Sequence, residues 1–97
     1  MKFVIAPGIV EKIAKRGIDL KDIIECFANR TAGNIVDDRE HNRTNPPTVW
    51  FISETDNRRE LKVVYIHLAK ADRAVIKSAY PPDREEKVMY IRYAPPK

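Results

Sequence analysis

The 97-residue chain is poor in the residues that most often announce a chemistry: one cysteine, three glycines, one tryptophan and two histidines. A lone Cys26 excludes an internal disulfide and any zinc site built from several cysteines. No glycine-rich stretch is present to cradle a phosphate, and no Ser-His-Asp arrangement is apparent. No apolar run approaches the roughly 20 residues that span a bilayer. The opening stretch Met1–Ala6 stops at Pro7-Gly8, too short for the apolar region of a signal peptide. A cytoplasmic protein without a membrane partner is therefore expected. Repeats, low-complexity tracts and linkers are also missing, so residues 1–97 read as one domain.

What is present is ordinary for a globular domain, with 43% apolar and 33% charged residues. The net charge of +4 is unevenly spread. Residues 1–36 hold six Lys/Arg against four acids, and residues 37–60 hold four against six. Residues 61–97 hold eight against four, a basic region suited to a phosphate-bearing partner.

The densest β-forming stretch runs from Thr48 to Tyr80. Thr48–Thr55, Glu60–Leu68 and Arg73–Tyr80 are rich in β-branched and aromatic residues. Asp56–Arg58 and Ala69–Asp72 are polar links of hairpin length, so the three strands form an antiparallel meander. Before it, Pro7 suits the first turn of a helix carrying Ile9, Val10 and Ile13, and Gly17 suits its end. Asp19 is an N-cap for a second helix, where Leu20, Ile23, Ile24 and Phe27 form one stripe. Lys2–Ile5 and Gly33–Arg39 are weaker strand candidates. After Pro81-Pro82, Asp83 and Glu86 stand in capping-box relation and open a helix to about Tyr93, with Val88 and Ile91 as expected buried positions. The expected fold is α+β: two N-terminal helices and a C-terminal helix packed on a four-stranded antiparallel meander.

The segment Ile13-Ala-Lys-Arg-Gly-Ile-Asp19 before a helix ending Glu25-Cys-Phe-Ala28 resembles the BrnT-like toxins of the RelE superfamily. So does the tail, Val75-Ile-Lys-Ser-Ala79 followed by Arg84-Glu-Glu86 and Tyr90, and related small bacterial domains of unknown function share the pattern. The resemblance implies the toxin of a type II toxin-antitoxin system: a cytoplasmic, metal-independent endoribonuclease that inhibits translation, uses no cofactor and is held by a cognate antitoxin. Two positions depart from the pattern. Gly8 stands where the related domains carry a histidine, and Lys15-Arg16-Gly17 lacks the histidine of the BrnT-like signature. The alternative is a non-catalytic module of the same fold that binds RNA or protein, and its oligomeric state is left open.

Metal-free RNA cleavage needs a base for the 2′-hydroxyl, cations for the phosphorane and an acid for the leaving oxygen. His67, late in the second meander strand on the face of Val63 and Tyr65, has a suitable ring. His41 lies in a loop with Arg39, Glu40 and Arg43, where a base, a carboxylate and guanidinium donors are close in sequence. The resemblance implies another route, in which Lys, Arg and Tyr share the work on the sheet and last helix. The matching residues are Lys62, Lys77, Tyr80, Arg84, Tyr90 and Arg92. Lys77, inside an otherwise apolar strand, faces a groove or else the solvent. Arg58 and Arg59 at the hairpin tip suit RNA phosphates or solvent. Trp50, Phe51, Ile52 and Tyr65 read as core, as does Cys26.

Overall fold

A computed structural model describes residues 1–39 and 43–97. Strand β1 is Lys2–Ile5, helix α1 Ile9–Lys15 and helix α2 Leu20–Ala28. They are followed by β2 (Ile35–Val36), β3 (Thr48–Glu54), β4 (Glu60–Leu68), β5 (Arg73–Tyr80) and helix α3 (Arg84–Tyr93). The protein is α+β, but the expected four-stranded antiparallel meander is corrected to a five-stranded mixed sheet ordered β1-β5-β4-β3-β2. The β3-β4-β5 meander forms as read, and β1 joins it parallel to β5, with Lys2 opposite Arg73 and Ile5 opposite Ile76. Without β1, β5 would expose a row of backbone donors and acceptors. Amides of Lys2 and Ala6 close the ends of that row on the carbonyls of Asp72 (2.8 Å) and Ile76 (3.0 Å). The strand expected at Gly33–Arg39 is reduced to the two residues of β2.

Strand alternation sorts the side chains onto two faces. Phe51, Leu61, Val63, Tyr65, Ile76 and Ala79 point to one face, where Ile13, Ile18, Ile23 and Cys26 cover them. Phe27 of α2 stands edge-on to Phe3, Phe51 and Tyr65 at centroid distances of 4.8, 4.8 and 4.9 Å. Trp50, Ile52, Lys62, Val64 and Tyr80 point to the other face, toward α3. Between Val64 and Tyr65 the register to β5 shifts, leaving Lys77 without a cross-strand partner. This bulge changes the parity of β5, so that Ile76 and Ala79 are both buried and Lys77 is exposed.

Both expected N-caps form full capping boxes, Asp19 with Asp22 and Asp83 with Glu86. The inward residue of α3 is not Val88 or Ile91, which are 46% and 85% exposed, but Tyr90 at 8%. Its ring lies 5.8 Å from Trp50 and its hydroxyl donates to the Gly33 carbonyl at 2.8 Å. Burial pushes the Tyr90 phenol up in pKa, with Arg30 and the Ile52 amide pulling the other way. The phenol thus closes the part of the β3 edge that β2 leaves uncovered.

Candidate functional site

Cross-strand register places Lys62 between Ile52 and Tyr80 on the α3 face. The capping box then brings Glu86 over them, because its Oε1 accepts from the Asp83 amide (2.9 Å) and fixes the side chain at the start of α3. Glu86 Oε2 accepts from Lys62 Nζ at 2.5 Å and from the Tyr80 hydroxyl at 3.0 Å. The Lys62 ammonium also lies 4.4 Å from the Trp50 ring centroid and 5.4 Å from that of Tyr80. Its side chain is only 6% exposed, and a lysine is rarely so buried unless paired. Burial raises the Glu86 carboxyl, but the hydrogen bonds from Lys62, the Asp83 amide and Tyr80, with the Lys62 charge, outweigh it and hold the group below its ordinary value.

The cluster opens on a cleft of about 370 Å³ between the segment after β2 and α3. Asp37, Asp38 and Arg39 form one wall, and Met89 and Tyr93 the other. Arg39 grips Asp37 with two bonds, Nε to Oδ1 at 3.0 Å and Nη2 to Oδ2 at 2.8 Å. The lining therefore carries three carboxylates, those of Asp37, Asp38 and Glu86, against the two cations Arg39 and Lys62. A further cation comes from the end of α1, where Arg16 donates to the Ala79 carbonyl (3.0 Å) and stands 5.7 Å from the Tyr80 centroid. A larger cavity, about 680 Å³, lies between the end of α2, the β3-β4 hairpin and α3. Its Glu60 and Lys87 neutralise each other at 2.8 Å, and no buried lysine lines it. The buried lysine and its carboxylate partner line the smaller cleft.

Of the residues singled out in the sequence, Lys62 and Tyr80 come together at Glu86, and Lys62 lines the smaller cleft. Lys77 and Arg84 are exposed, one on the β5 bulge and the other at the first turn of α3. His67 is exposed opposite Ala74, five residues along β4 from Lys62 and thus about 17 Å away. His41 lies outside the described residues. Arg43 is exposed, its Nε bonded to the Asp38 carbonyl at 3.1 Å. Arg59 ties the hairpin to the end of α1, donating to the carbonyls of Gly17 (2.8 Å) and Arg16 (2.6 Å). Arg58 and Arg92 are exposed. Burial pushes the Cys26 thiol up to about 12, with Asp22 and Glu25 adding to the effect, so it is an inert packing group. Glu86, Trp50 and Asp37 were not read as site residues. Glu86 announced itself only as a helix cap, and the lysine two positions into β4 was the signal that a carboxylate must face that strand.

Among the described residues, no group of three or more His, Cys, Asp or Glu could hold a metal ion, and no helix is long and apolar enough to cross a membrane. Comparison of the chain with protein-family models, curated proteins and solved structures gives no match in any of the three.

Proposed function

We propose that this domain is an endoribonuclease of the toxin kind, acting in the cytoplasm at the Lys62–Tyr80–Glu86 cluster and restrained by a cognate antitoxin. The observation that carries the reading is a single carboxylate oxygen, Glu86 Oε2, shared by an ammonium and a phenol, with Lys62 and Glu86 lining an open cleft. Glu86 is ionised at neutral pH and can accept the 2′-hydroxyl proton. The 2′-oxygen then attacks phosphorus, the bond to the 5′-oxygen breaks, and the Tyr80 hydroxyl returns a proton to that oxygen. Protonation of Glu86 removes the negative partner of Lys62, so the ammonium charge becomes available to the phosphorane as its own charge develops. Lys77, Arg84 and Arg58 are exposed and left to contact flanking phosphates.

One observation favours the second reading, a binding module without catalysis: Lys62 is paired with Glu86 and Arg39 with Asp37, so the cleft presents no surplus positive charge. Cleavage of a short labelled RNA by the purified protein separates the two. Glu86→Gln can keep the bond to the Asp83 amide while losing the base, and is expected to slow cleavage by about a hundredfold or more. A folded Glu86→Gln variant with the wild-type rate would dismiss this site. RNA binding without cleavage by the wild type would establish the module instead. Growth arrest on induced expression, relieved by Glu86→Gln, is the corresponding result in cells.

A further inference from the structure

Helix α3 turns Glu86 and Tyr90 inward and leaves an apolar face outside. Val88, Met89 and Tyr93 are 46%, 46% and 65% exposed. With Arg84, Glu85 and Arg92 they line one shallow concavity of about 310 Å³. At 100° per residue the six positions fill a single arc of about 180°. Scattered exposed apolar residues are normal on a monomer, but a contiguous patch of Met, Tyr, Val and Arg has the composition of an interface.

We infer that this face docks a second copy of the chain through an antiparallel, two-fold α3–α3 contact. The order of charges on the helix favours that occupant. A two-fold axis passing between Val88 and Met89 sets each residue level with the one equally far beyond the midpoint, and those near the middle of the arc come face to face. Glu85 and Arg92, both near the middle of the arc, then face the partner's Arg92 and the partner's Glu85 across the seam, while Val88 meets the partner's Val88 and Met89 the partner's Met89 beside the axis. The Glu85–Arg92 ion pair occurs twice, once on each side of an apolar centre of Val88 and Met89. An acidic segment from another protein would satisfy the two arginines but oppose Glu85, and an RNA strand would leave the apolar centre against phosphate. Met89 and Tyr93 also line the cleft of about 370 Å³, so the contact is continuous with the wall of that cleft. The inference stands on the helix surface and does not require RNA cleavage.

One helix face is a small interface, so dissociation constants between about 10 µM and 1 mM are expected. Sedimentation equilibrium over that range at low salt, without nucleic acid, measures it. Glu85→Arg alone or Arg92→Glu alone places like charges opposite each other twice and should weaken association at least about tenfold. Combining Glu85→Arg with Arg92→Glu restores both pairs and should return the constant to within about threefold of wild type. Val88→Asp, outside the ion pairs, should also weaken association about tenfold or more. Circular dichroism and melting temperature verify that each variant is folded. A wild type still monomeric at about 1 mM, single reversals without effect, or a double reversal that fails to rescue would each overturn the inference. Association appearing only after RNA is added would overturn it too.

Discussion

Glu86 serves helix and site together: Oε1 closes the capping box of α3, while Oε2 holds Lys62 and Tyr80. Both duties are performed by the ionised carboxylate, which is why its pKa lies below the ordinary 4.5 despite the opposing effect of burial. A group whose folded pKa is depressed contributes stability above its unfolded value, and that contribution is lost as pH falls through the folded value. Stability attributable to Glu86 is thus complete at neutral pH and disappears below about 4.5. Melting temperatures of wild type and Glu86→Gln between neutral pH and pH about 3 test this. The wild type should lose more stability over the acid range than the variant. Parallel curves would mean that the Lys62 and Tyr80 bonds contribute nothing to the ionised state.

At the level of elements, the β3-β4 link shows a residue held against its preference. Arg58 has φ of 66°, the Arg58 amide bonds to the Thr55 carbonyl, and the Thr55 amide bonds to the Arg59 carbonyl. That is a type I turn followed by a left-handed residue, where glycine fits best and other residues are disfavoured by about 1–2 kcal/mol. Arg58→Gly relieves that cost but loses about 0.4–1 kcal/mol in unfolded-state entropy, so it should stabilise the protein by up to about 1 kcal/mol and raise the melting temperature by up to about 4–8 °C. Thermal and urea unfolding measure it, and a destabilised variant would show that the Arg58 side chain matters more than its backbone. The link itself, the span of β4 and β5, the Asp19 N-cap and the Asp83–Glu86 capping box are legible in the sequence, because alternation, turn residues and D-x-x-E spacing are local signals. The burial of Tyr90 in place of Val88 and Ile91 is not. The apolar character of α3 faces outward, and its inward tyrosine is chosen by bonds to Gly33, 57 residues earlier in the chain. Lys62 reads as a cation for RNA, yet its half-buried partner Glu86 is 24 residues away, a distance that no local pattern spans.

At the scale of the whole molecule, β1 decides how the layers close, and nothing in Lys2–Ile5 states that it will pair parallel with the most distant strand. The pairing places Phe3 opposite Ala74, where the small side chain leaves room for the Phe3 ring to reach Phe27. Phe3 is thereby one end of the aromatic row that ties the first strand, the second helix and the meander into one core. Truncating a fully buried phenylalanine costs about 3–5 kcal/mol, and half-buried Phe3 should cost about 2 kcal/mol. The loss should also be local. β3, β4 and β5 keep their mutual pairing and the cover of α2, whereas β1 pairs with β5 alone and packs on the core through Phe3 and Ile5. In Phe3→Ala, the amide of Ala6, bonded to the Ile76 carbonyl, should therefore exchange with solvent about tenfold or more faster relative to amides of central β4. Native-state hydrogen exchange distinguishes this from a uniform loss. If all strands speed up equally, β1 belongs to the cooperative core, and the edge it forms opens only when the whole sheet does.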